Sequence, residues 1–140
     1  MVTRLNPYLS FRDSARPAME YYRSVFGGEL TISTFAEFGV SDDPAEQDKV
    51  MHAMLVSPGG LVLMGADTPA AMDHTPGNGY AVSLSGDDLA ELRGYWERLS
   101  DGGTVTEPFV TAPWGDTFGM CTDRFGVSWM VNAAGSPAEA

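Results

Sequence analysis

The sequence predicts an α+β chain made of two βαβββ modules whose sheets form a curved, partly open mixed-sheet barrel. Three observations point there. The chain repeats itself: a strand-like stretch at 5–11, an acidic cap at Asp13, a helical run through Tyr21-Tyr22 and a Gly27-Gly28 pair are answered by 80–85, Asp87-Asp88, Tyr95-Trp96 and Gly102-Gly103. The offset is 75 residues both from cap to cap (13 to 88) and from Gly pair to Gly pair (27 to 102). That is longer than a solenoid period and matches two copies of one supersecondary unit. Each copy then ends in two apolar runs around a turn signal, Ser57-Pro58-Gly59-Gly60 in one and Asp123-Arg124-Phe125-Gly126 in the other, which reads as a hairpin.

The elements follow in order. Residues 5–11 alternate, with Leu5, Leu9 and Phe11 on one face and Asn6, Tyr8 and Ser10 on the other. Asp13 or Ser14 caps a helix whose early Pro17 is tolerated and whose stripe is Ala15, Ala18, Met19, Tyr22 and Phe26. Gly27-Gly28 ends it, and residues 29–35 form the second strand. The acidic, polar stretch 39–49 reads as a mobile loop. Residues 50–56 and 61–65 are the hairpin strands. In the second module 80–85 is a strand, and Asp88 with Glu91 resembles a capping box. Leu89, Leu92, Trp96 and Leu99 are its helix stripe, and 105–110, 118–122 and 127–131 are its remaining strands. The modules span about 4–66 and 79–133 of a single domain, with a linker at 67–78 and a fraying tail at 134–140. Each helix packs on one face of its sheet. The other faces carry Met and aromatic side chains that also need cover, so a cavity between the modules is the expected ligand site.

Composition narrows the function classes. At 140 residues and 44% hydrophobic content the chain can bury a real core. A net charge of −11 argues against nucleic-acid or anionic-membrane partners. No apolar run is long enough for a membrane helix, and residues 1–7 lack a signal-peptide core. The lone Cys121 cannot form an internal disulfide, which suits a cytoplasmic location.

Several short motifs occur in a telling order: Asn6-Pro7-Tyr8-Leu9-Ser10-Phe11, Ala18-Met19-Glu20-Tyr21-Tyr22 with Phe26-Gly27-Gly28, Met51-His52-Ala53, Trp114-Gly115-Asp116 through Phe118-Gly119-Met120, and Thr122-Asp123-Arg124-Phe125-Gly126-Val127 with Trp129-Met130. Together they resemble the vicinal oxygen chelate superfamily, which includes glyoxalase I, bleomycin-resistance proteins and extradiol dioxygenases, and within it the PhnB-like branch. The resemblance covers about residues 5–133 and implies a homodimer.

Metal-using members of that superfamily hold a divalent cation with four side chains, two per module. Counting from the caps and the hairpin glycines places these positions at Asn6, Met64, Ala81 and Met130. Ala has no donor, and thioethers suit soft copper(I) rather than magnesium, manganese or iron(II). No metal and no other cofactor is therefore expected. Without the metal, the basis for carrying over the superfamily's reactions is gone.

The remaining candidates bind rather than react. His52 is a hydrogen-bond partner or general base if its face looks into the cavity, and a histidine anchored by its neighbours otherwise. Asn6 and Tyr8 share a face of the first strand. Trp114 sits in a loop that either lines the cavity mouth or seals the sheet end. Met64 and Met130 would line the same hollow, and Met adapts to irregular apolar shapes. His74 reads as a solvated loop residue and Cys121 as an inert buried thiol. The predicted function is metal-independent binding of a small, partly apolar organic molecule at Asn6, Tyr8, His52, Met64, Trp114 and Met130, with a possible sequestration or resistance role. The alternative is a glyoxalase-type lyase or isomerase, or a dioxygenase, with a relocated metal or an acid–base centre near His52.

Overall fold

A computed structural model describes residues 3–39 and 42–135. The chain divides after Pro76 into two compact units. The first contains β1 (Tyr8–Phe11), α1 (Ala15–Phe26), β2 (Glu29–Thr34), the short α2 (Phe35–Phe38), β3 (Val50–Val56) and β4 (Val62–Asp67). Its sheet runs β1-β4-β3-β2, with β1 parallel to β4 and the other pairs antiparallel. The second contains β5 (Val82–Gly86), α3 (Leu89–Ser100), β6 (Thr104–Thr111), β7 (Thr117–Thr122) and β8 (Ser128–Ala133). Its sheet runs β5-β8-β7-β6 in the same pattern. Each unit is a βαβββ module, and the α+β class holds.

Strand register makes the duplication quantitative. Tyr8 lies opposite Met64 and Ser83 opposite Met130, so the leading strands stay 75 residues apart (8 to 83) while the hairpin strands are 66 apart (64 to 130). The first module carries the difference as α2 and the segment that follows it. The two turns obey the 66-residue offset as well. Ser57 Oγ accepts from Leu61 N at 3.0 Å, and Asp123 Oδ1 accepts from Val127 N at 3.1 Å. Asp123 also takes the indole N–H of the buried Trp129 at 2.8 Å, which anchors that ring in the core.

The glycine pairs have a steric cause. Gly27 and Gly102 take positive φ, 74° and 78°, as the chain leaves each helix. Their neighbours Gly28 and Gly103 serve a different need. A Cβ on Gly28 would sit 2.0 Å from the Val56 carbonyl oxygen, and one on Gly103 2.2 Å from that of Thr122. In each module the backbone enters its next strand against a neighbouring carbonyl, where only hydrogen fits.

The helix entries differ. Asp88 caps α3 as expected, accepting from Glu91 N at 3.1 Å. The box is only half made, because Glu91 accepts from the Tyr95 hydroxyl instead of reaching back. In α1 the N-cap Ser14 makes no side-chain cap, and Asp13 sits at φ 68° and pairs with Lys49 at 2.9 Å. Asp67, buried at the end of β4, replaces the local cap: it accepts from Ala15 N and from Val50 N, both at 2.9 Å.

Other expectations need correction. The first strand begins at Tyr8, because Pro7 has no N–H for the ladder, and Leu5 is fully exposed rather than facing the core. The second strand ends at Thr34, whose hydroxyl caps α2, so Phe35 is helical. Within 39–49 the described residues are tethered. Lys49, the chain's one lysine, bridges Asp13 and Glu46, and Glu46 accepts from Ala70 N at 2.9 Å. Residues 40 and 41 lie outside the described residues. So do 136–140 of the predicted tail, while Ala134 donates to Gly86 O and Gly135 to Asp116.

Candidate functional site

Strand alternation gives each sheet a helix face and an open face. In the first module Leu9, Phe11, Ala53, Leu55, Leu63 and Gly65 are buried on the α1 side, where Gly65 approaches Met19. The intervening residues Tyr8, Ser10, His52, Met54, Met64 and Ala66, with Glu29, Thr31 and Ser33 of β2 opposite Val56, Met54 and His52, form the open face. In the second module Gly119, Cys121, Trp129, Val131 and Ala133 face α3, with Gly119 against Trp96. Ser83, Ser85, Phe118, Met120, Met130 and Asn132 are the open set there.

The sharpest feature is on the first module. The Tyr8 hydroxyl lies 3.2 Å from His52 Nδ1, and the two rings stack with centroids 5.7 Å apart at 29°. The strands that carry them are not adjacent, since β4 lies between. Extending the β3–β4 register by one residue brings Ala66, with only a methyl group, opposite His52. Met64 is opposite both Tyr8 and Met54, so the polar pair sits beside two thioethers. Burial raises the Tyr8 phenol above its ordinary pKa, so it stays a neutral donor and acceptor.

The sequence-predicted residues therefore separate. Tyr8, His52 and Met64 come together on one face. Asn6 precedes β1 and is half-buried. Met130 occupies, in the second module, the place that Met64 holds in the first. Trp114 is 74% exposed in the turn between β6 and β7, which Ala112 N closes onto Asp116 O at 2.7 Å. Three residues join the candidates. Met54 pairs with Met64 as Met120 pairs with Met130, and Phe118 stands where His52 stands in the first module. The signal for these was the 66-residue offset already visible in Gly60 and Gly126.

Other ionisable groups do structural work. Asp116 accepts from Gly135 N and Asn132 Nδ2, which holds its carboxyl below the usual value. His74 hydrogen-bonds Thr68 Oγ1 at 3.3 Å. Burial first, then the Asp123 charge, pushes the Cys121 thiol up to about 11, so it is not a nucleophile near neutral pH.

The family model of the glyoxalase/bleomycin resistance protein/dioxygenase superfamily matches residues 4–131. The chain belongs to this superfamily. It is 28% identical over 139 residues to Protein YjdN of Escherichia coli strain K12, covering 91% of this chain and 93% of that protein. Among solved structures it is similar to protein PA1353 of Pseudomonas aeruginosa, at 38% identity and a TM-score of 0.79, covering 94% of this chain and 98% of that one. A PhnB protein from Bacillus cereus shares the fold at 24% identity and a TM-score of 0.74, covering 94% and 100%. The superfamily hosts several chemistries, so membership alone does not choose one.

The metal that many members use can be tested against the donors present. Strand register supports pairing Asn6 with Ala81 and Met64 with Met130 as corresponding positions. That set offers one amide, two thioethers and one side chain with no donor, which does not fit a hard or borderline divalent cation. Among the described residues, no group of three His, Cys, Asp or Glu gathers to hold a metal ion elsewhere.

Proposed function

We propose that this chain is a metal-independent, PhnB-like superfamily protein that binds a small, partly apolar organic molecule in the inter-module cavity that the sequence predicts. The observation that carries this reading is the make-up of the first module's open face. A hydrogen-bonding Tyr8–His52 pair lies beside Met54 and Met64, and the face's one strand carboxylate, Glu29, stands at the far end of β2 opposite Val56. Thioether and ring surfaces adapt to apolar shapes, and one or two polar groups set orientation. The second module adds Met120, Met130 and Phe118 in corresponding places. Sequestration of such a molecule needs only a pocket and no reacting group.

The test is metal analysis of protein purified without chelator, paired with turnover assays on small electrophiles and catechols. The proposal predicts substoichiometric nickel, zinc, manganese and iron, and no turnover that His52→Ala abolishes. One equivalent of a divalent metal that is lost in a Met64→Ala or Asn6→Ala variant would overturn it.

A further inference from the structure

The Tyr8–His52 contact does more than add polarity, because its geometry selects a ligand chemistry. A neutral imidazole has one bare nitrogen and one N–H. Two arrangements satisfy the 3.2 Å contact. If Nδ1–H donated to the phenol oxygen, the Tyr8 O–H would need another acceptor, and Nε2 would be bare as well. Neither group has a second protein partner among the described residues, and Tyr8 is half exposed, so in that arrangement both would depend on water that a bound apolar molecule displaces. If the phenol donates to a bare Nδ1, the Tyr8 proton is satisfied and one N–H remains, on Nε2. The stacked rings at 29° hold the imidazole in one orientation. Partner hydrogen bonds fix the tautomer of a ring in the same way at metal sites.

Resting on the binding reading above, we propose that Tyr8 is a positioning residue that locks His52 as the Nε2–H tautomer, so that this face recognises apolar molecules carrying a carbonyl-type hydrogen-bond acceptor. Met54 and Met64 take the apolar body, and the imidazole N–H takes the oxygen. An apolar molecule without an acceptor leaves that donor unpaired when it excludes water, and an ammonium cannot accept from it.

The probes are acetonaphthone, which carries a carbonyl, and ethylnaphthalene, which has nearly the same shape without one. Binding is read from the methyl signals of methionines labelled with carbon-13, assigned by Met54→Leu and Met64→Leu. Wild type should bind acetonaphthone about tenfold more tightly than ethylnaphthalene, the scale of one net hydrogen bond. His52→Phe should erase the preference, and Tyr8→Phe should shrink it. Nitrogen-15 spectra of the imidazoles, with His74 as internal reference, give a readout free of any ligand. Wild-type His52 should show the Nε2–H tautomer, and Tyr8→Phe should release it to a mixture. Equal binding of both probes, or an Nδ1–H tautomer in wild type, would overturn this inference and leave the binding reading standing. Binding of neither probe would overturn both.

Discussion

Replacing Gly103 with Ala tests the packing account most severely. The added Cβ would lie 2.2 Å from the Thr122 carbonyl oxygen, 2.9 Å from Asp123 Cα and 3.1 Å from Asp123 C. All three are backbone atoms, so no rotamer change relieves the overlap. Ordinary contact needs about 3.4 Å, so β6 and β7 must part by about 1 Å where Thr104 pairs with Thr122. That opens a ladder hydrogen bond beside the buried Asp123 and should cost about 2–4 kcal/mol. Gly102→Ala is the matched control. Its φ of 78° is strained for Ala, but the nearest atom is Arg124 Nε at 3.1 Å, on a side chain that can swing away. The left-handed conformation costs about 1–2 kcal/mol, less about 0.4–1 kcal/mol regained from the stiffer unfolded chain. Urea unfolding of both variants at one pH reads the difference. Gly103→Ala within about 1 kcal/mol of wild type, or less harmful than Gly102→Ala, would refute the close-approach explanation.

Asp67→Ala should cost about 2–4 kcal/mol, because Ala15 N and Val50 N both lose their acceptor in a buried site, while Asp67→Asn keeps one acceptor and should cost less. Urea midpoints check the order, and equal losses would contradict the shared-carboxylate role. The Cys121 thiol is raised from 9.0 to about 11, so the folded state holds its proton longer than the unfolded chain. Its contribution is complete below pH 9 and fades as pH rises toward 11, by about 2 kcal/mol, and stability curves of wild type against Cys121→Ala should diverge in slope only there. Asp116 is shifted the opposite way. Its contribution is present above the ordinary carboxylate range and is lost as pH falls through the lowered value, so Asp116→Asn should flatten the acid limb of thermal unfolding. Lys49→Met removes the bridge to Asp13 and Glu46 and should speed proteolysis within 42–49, whereas an unchanged cleavage rate would show that the segment is held by other contacts.

Much of the fold was legible because local signals agreed with tertiary structure. The Gly-Gly pairs, the Asp88 cap and the two turns act through neighbours in sequence, so a single chain displays them. The α1 cap was not legible, since its acceptor comes from Asp67, 52 residues away from Ala15. Asp13 carries the expected residue type in the expected place, yet its backbone is left-handed and its carboxylate goes to Lys49. Leu5 fits the alternation, but Pro7 interrupts pairing before it can count. The candidate site was legible as a face, because period-two alternation puts Tyr8 and Ser10 together and His52 with Met54. That Tyr8 reaches His52 across the intervening β4 is a relation between three strands that no local pattern encodes.

The central claim is that this superfamily member takes up an apolar ligand with no help from a cation. Titrating acetonaphthone into chelator-treated protein, then repeating after adding manganese, zinc or nickel, tests it directly. The account predicts the same affinity throughout, within about twofold. Binding that appears only in the metal-supplemented samples would contradict it.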